Sequence, residues 1–135
     1  MAHWLYKSEP ESWSWQQQVE AGKKGTEWTG VRNFTARNNM RAMKKGDTGF
    51  FYHSGAERAI VGIVEVIKDA HPDSTDGAWE CVDLAAVRPV PKIVTLDMVK
   101  ADKRLADMAL VRLSRLSVQP VTDAEWAILC RMAGL

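Results

Sequence analysis

The sequence predicts an α+β fold in which helices lie against a barrel-like β-sheet, and three observations carry that prediction. Residues 60–67 are apolar at odd and even positions alike, apart from Gly62 and Glu65, the pattern of a strand covered on both faces. Two helix starts are written as capping boxes, Ser14 with Gln17 and Thr122 with Glu125, where hydroxyl and carboxyl or amide side chains satisfy the first free amides reciprocally. Between them stand three β-rich segments, 48–53, 60–69 and 79–90. Strands flanked by capped helices argue for a sheet with helices packed on it rather than a bundle.

The elements follow in order. Residues 3–7 read as a short strand ended by Glu9-Pro10. The Ser14 box opens a helix from Trp15 to about Ala21 that stops at Gly22. Asn33 caps a second helix, with Ala36, Met40 and Met43 on one face, ended by Lys45-Gly46-Asp47. The first two β segments join across Ser54-Gly55-Ala56, and Thr95 caps a short helix after the third. Residues 116–121 form a last strand. The Thr122 box then opens a terminal helix whose inner face is Trp126, Leu129, Cys130 and Ala133, with Val121 and Trp126 spaced as a hydrophobic staple.

Composition narrows the function classes. At 135 residues the chain is expected to form one domain, 1–135, burying roughly two thirds of its unfolded surface. Its hydrophobic fraction of 46% excludes general disorder. There is no apolar run of membrane-spanning length and no signal-peptide pattern, so the expectation is an intracellular, cytoplasmic protein with no membrane partner. Cys81 and Cys130 stand far apart in apolar segments and read as packing residues.

Catalytic chemistry is not apparent. No Gly-x-Ser-x-Gly elbow or phosphate-cradling glycine loop occurs, and His53 beside Ser54 points to the opposite face of a strand. His3, His53 and His71 lack metal-ligand spacing, and the seventeen carboxylates are scattered. The expectation is therefore a non-enzyme with no metal and no cofactor.

The informative stretch is 28–54. Between Val31 and Gly46 it holds Arg32, Arg37, Arg41, Lys44 and Lys45 and no acidic residue, in a chain of formal net charge +1. Asn33, Asn38 and Asn39 lie among these cations, Trp28 stands in front, and Tyr52, His53 and Ser54 follow. Cations attract phosphates, amides read base edges and aromatics stack on bases, so the combination points to nucleic acid. Arg37, Arg41 and Lys44, spaced by four and three, line one helix side; with no carboxylate partner in sight, they are read as phosphate contacts or as a solvated face. Trp28 sits in the polar run Thr26-Glu27-Trp28-Thr29-Gly30, where a core role is hardest to argue, and stacking and packing both remain open for it.

Lys7-Ser8-Glu9-Pro10 after a Trp-Leu-Tyr strand, then 28–33 (WTGVRN), 36–39 (ARNN), 50–54 (FFYHS), 62–66 (GIVEV) and 115–122 (RLSVQPVT) closely resemble the EVE domain family over essentially the whole chain. The resemblance implies a PUA-like β-barrel with flanking helices, and a module that binds a modified base, cytosine altered at carbon five above all, in DNA or RNA. By position it implies a pocket walled by Trp28, with Ser8, Asn33 and Ser54 near the base. It places Arg32 and Arg37 at the mouth and Arg115, Ser117 and Gln119 across from them. Val31, Asn38, Tyr52 and His53 complete the expected lining. Many family members carry a longer insertion between the strand ending near Ala70 and Trp79, where this chain has only a loop from His71 to Ala78. The alternatives from other classes are an enzyme acting on the same base, and a receptor for a free nucleotide-like molecule.

Overall fold

The computed structural model describes residues 2–135. In chain order the elements are β1 (His3–Ser8), α1 (Trp15–Glu20), β2 (Thr26–Glu27), α2 (Phe34–Ala42), β3 (Thr48–His53), β4 (Ala59–Asp73), β5 (Asp76–Thr95), α3 (Leu96–Ala101), α4 (Ala109–Arg112), β6 (Val118–Val121) and α5 (Asp123–Met132). The strands form one sheet in the order β2-β5-β4-β3-β1-β6, so the three expected β segments do share a sheet. Strands β1 and β3 run parallel, with Leu5 opposite Phe50 and Ser8 opposite His53, and the remaining pairs are antiparallel. Among the described residues no pairing joins β2 to β6, so the barrel is open.

The doubly apolar strand does what its pattern requires. Alternate side chains along the central strands enter two different cores. On one face Trp4, Tyr6, Phe51, Val64 and Val66 pack with Ala36 and Met40 of α2. On the other, Leu5, Phe50, Ile60 and Ile63 pack with Val99 of α3 and Leu129 of α5. Each Val, Leu, Ile, Phe or Met side chain among them contributes about 1.5–3 kcal/mol of burial free energy. Gly62 of β4 lacks a Cβ where the Trp15 ring lies against it, and any larger residue would meet that ring.

All four expected caps form. Ser14 and Thr122 make full capping boxes, Asn33 accepts from the Ala36 amide at 2.9 Å, and Thr95 accepts from Met98 at 3.2 Å. The expected loop at residues 71–78 is instead mostly strand. Strands β4 and β5 run on until only Ser74 and Thr75 separate them. Asp73 closes that turn by accepting from the Thr75 amide and hydroxyl at 2.7 and 2.5 Å, an Asx turn. Several register shifts along β4 and β5 mark bulges, which let strands this long bend. Among the described residues no helix is long and apolar enough to cross a membrane.

Candidate nucleic-acid interface

A cavity of about 510 Å³ opens between the end of β1 and the segment 26–32, within the range of small-ligand sites. It is lined by Trp13 and Trp28, by the hydroxyl residues Ser8, Ser12, Thr26, Thr29 and Ser117, and by the charged residues Lys7, Glu9, Glu27 and Arg32.

Trp28, for which the sequence leaves stacking and packing both open, is packed. Its amide donates to Val82 O at 2.8 Å and prolongs the pairing of β2 with β5. The side chain is 7% exposed. Its ring meets Tyr6 edge-on at 5.5 Å and Phe51 at 5.6 Å. The indole turns into the core, while Thr29 and Gly30 after it are exposed. Trp28 is a core residue and a cavity wall at once.

Beyond it, Gly30 adopts φ +82°, a conformation that favours glycine. Its amide donates to Asp73 Oδ2 at 3.0 Å. Arg32 donates to the same oxygen at 3.3 Å, to Val31 O at 3.0 Å and to Thr75 Oγ1 at 3.2 Å, and its guanidinium lies 5.7 Å from the Trp79 ring centroid. Asp73 is thus the peg that fixes the cavity's basic rim to the β4–β5 turn. Burial pushes its carboxyl pKa up, but hydrogen bonds from Thr75, Gly30 and Arg32 outweigh that and hold it at about 2.

On the opposite wall the Ser8 hydroxyl donates to Trp13 O at 2.6 Å. Its proton is committed to a carbonyl, so Ser8 offers a ligand an acceptor. The Trp13 ring is held by Gln18, whose Oε1 accepts from the indole N–H at 2.9 Å. Lys7 Nζ donates to Ser114 O at 2.6 Å, and burial lowers its pKa.

Of the expected site residues, the cavity gathers Ser8, Trp28, Val31, Arg32 and Ser117. Asn33 and Arg115 line a second, shallower depression of about 370 Å³. Ser54 is joined to Ser8 through its amide at 2.9 Å but does not line the cavity. Tyr52 packs into the opposite core, and Gln119 is fully buried, its amide nitrogen donating to Leu116 O at 2.8 Å. His53 Nε2 accepts from the Trp15 amide at 2.9 Å, so its Nδ1 donates to Glu57 at 2.5 Å; the imidazole secures the start of α1. Arg37 and Asn38 stand on α2 outside the cavity, joined by a 3.2 Å hydrogen bond. Sequence reasoning missed Trp13 and Glu27 as lining residues, which distant segments bring together and no local spacing reports.

The basic stripe also needs correction. Arg41 is not free of carboxylates: its Nε pairs with Glu80. Helix α2 ends at Ala42, and Met43 is extended, so Lys44 lies beyond the helix face. Arg37 has no carboxylate partner among the described residues; its guanidinium lies 4.9 Å from the Phe34 ring centroid and 5.8 Å from that of Trp79. Cys81, read from the sequence as a packing residue, has polar neighbours in the fold. The fold brings Glu27, His71 and Cys81 together, their ligating atoms all within 4.8 Å of one another. The Cys81 thiol is pushed up to about 12, first by burial and then by Glu27.

The EVE domain family model matches residues 2–132. Thymocyte nuclear protein 1 of Gallus gallus is 37% identical over 92% of this chain, which spans 65% of that protein's length. The crystal structure of protein Atu2648 from Agrobacterium tumefaciens is 57% identical, with a TM-score of 0.98 over 100% of this chain and 94% of that one. Human THYN1, solved in complex with 5-methylcytosine-containing DNA, is 31% identical, with a TM-score of 0.92 over 100% and 99%.

Proposed function

The chain belongs to the EVE domain family, and we propose that it is a non-catalytic module that binds nucleic acid by taking a modified base, cytosine altered at carbon five, into the cavity beside Trp28. The observation that carries this reading is the cavity itself: two indoles, a committed hydroxyl and a fixed arginine around a volume of about 510 Å³. The complex of human THYN1 with 5-methylcytosine-containing DNA supports the ligand class.

In this reading the base leaves its stack, at a cost of a few kcal/mol. Stacking on an indole returns about 1–3 kcal/mol. Ser8, as an acceptor, suits the exocyclic amino group of a cytosine. Arg32 waits at the rim already oriented, so little of its freedom is lost on meeting a phosphate. Arg37 and Lys44 add charge outside, where counterion release makes binding weaken with salt. The non-enzymatic part of the proposal draws on Glu27, whose carboxyl the Ser74 amide holds below the usual range, the opposite of a proton donor tuned toward neutrality.

The test is a panel of short oligonucleotides, identical except for one cytosine that carries or lacks a carbon-five substituent, in DNA and in RNA. Tighter binding of the substituted strand, lost in a Trp28 variant that remains folded, is the expected result. Equal affinity across the panel would overturn the base assignment, and equal affinity for a free nucleoside would favour a small-molecule receptor.

A further inference from the structure

We propose that Glu27, His71 and Cys81 form a binding site for one zinc-class divalent ion, set where β2, β4 and β5 meet. The site adjoins the base cavity through Glu27, which belongs to both, but its test reads the ion and not the base.

The sheet register makes the cluster. His71 of β4 lies directly opposite Cys81 of β5, and Glu27 of β2 pairs with Asp83, two residues further along β5. Cys81 Sγ stands 3.5 Å from Glu27 Oε1 and 3.9 Å from His71 Nε2. Ligand bonds of about 2.0–2.3 Å in a tetrahedron separate neighbouring ligands by about 3.3–3.6 Å. The Cys81–Glu27 separation already fits, the Cys81–His71 separation needs a few tenths of an ångström, and the third pair, Glu27 and His71, lies within 4.8 Å and must close further by side-chain torsion.

The imidazole is oriented for the role. His71 Nδ1 lies 3.0 Å from Pro72 O, and a carbonyl can only accept, so Nδ1 carries a proton. A histidine whose other nitrogen donates to a backbone carbonyl presents Nε2 as the ligand. That Nε2 faces Asp83 Oδ1 at 2.7 Å. Asp83 is thereby placed to supply an oxygen or to hold a bound water in the fourth position. The Cys81 S–H bond breaks as the sulfur–metal bond forms, and the proton displaced passes to solvent. A donor set of one thiolate, one imidazole and one carboxylate suits zinc and excludes the hard cations magnesium and calcium.

The experiment uses the full chain after removal of metal by chelator, titrated with Co²⁺ and then with Zn²⁺. The expected result is one Co²⁺ per chain, with a thiolate-to-cobalt charge-transfer band that Zn²⁺ erases, and a melting temperature raised by Zn²⁺. Cys81→Ser should abolish the band, His71→Gln should weaken binding by roughly tenfold or more, and Cys130→Ser should leave both unchanged. X-ray absorption at the zinc edge on the unaltered protein should show one sulfur among nitrogen and oxygen neighbours, a readout that stands even where a variant does not fold. No band at stoichiometric Co²⁺, a band that survives Cys81→Ser, or a zinc shell without sulfur would each overturn the site and leave the cluster as a hydrogen-bonded brace between strands.

Discussion

The indole of Trp28 stands edge-on to the ring of Phe51, with centroids 5.6 Å apart and planes at 85°. The pair joins the cavity wall to the central strand β3, so the site and the core share a side chain. Trp28→Ala should cost about 3–5 kcal/mol of stability, as for other buried aromatics, and about 1–3 kcal/mol of oligonucleotide binding through lost stacking. Trp28→Phe should recover part of each. Denaturant unfolding and affinity measured on the same samples separate the two. A Trp28→Ala variant as stable as the parent would show that the indole is not packed as described.

The fold was legible wherever one local rule acted alone. Ser14, Asn33, Thr95 and Thr122 announce their helices because capping is a contact between residues three apart. The double-faced pattern of residues 60–67 announced two cores. The site was only half legible, because cavity walls are assembled from distant segments. Trp28 stayed open between stacking and packing because its polar neighbours hid an inward-turned ring. The Arg41–Glu80 pair joins a helix to a strand across 39 residues and Glu27 meets Cys81 across 54, separations that no spacing rule reports. Gln119 and Tyr52 lie in matching motifs for packing reasons that the motif alone does not distinguish from ligand contact.

The paired state of Arg41 separates the basic residues. Arg37 and Lys44 have no carboxylate partner among the described residues, whereas Arg41 already has Glu80. Arg37→Ala and Lys44→Ala should each reduce the slope of log affinity against log salt by about one, as for a lost phosphate contact, and weaken all sequences alike. Arg41→Ala should change the slope less, and Glu80→Gln should strengthen binding by freeing Arg41. Equal effects at all three positions would mean that the ion pair opens on binding.

Asp73 supports the rim through Gly30 and Arg32, and its side chain is fully enclosed while that of Arg32 is 39% exposed. Asp73→Ala leaves an amide and a guanidinium without their acceptor, at a cost of about 1–3 kcal/mol. Oligonucleotide affinity should fall as well, since a freed Arg32 must be ordered again on binding. Proteolysis within residues 28–32 should become faster in the variant. Unchanged affinity would place Arg32 outside the interface.

His3 and Trp126 stack with ring centroids 4.2 Å apart and planes within 8°, and Trp126 in turn stacks on Phe50 at 4.1 Å. The sandwich docks α5 onto the sheet, as the staple spacing of Val121 and Trp126 anticipates. Trp126→Ala should cost about 3 kcal/mol, the lower end for a large aromatic, because its ring is only partly buried. Burial lowers the His3 pKa from its usual 6.5, against the opposing pull of Asp123. In the window between the folded and unfolded values the unfolded chain therefore binds more protons, so stability rises with pH there. The contribution of neutral His3 is complete above about 6.5 and is lost as pH falls through the lower folded value. His3→Gln removes this titration. The stability difference between parent and variant should then shrink as the medium is acidified from neutrality, read from denaturant midpoints at a series of pH values. A difference that stays constant across that range would show that His3 titrates alike in the folded and unfolded chain, and that the stack does not depend on its charge.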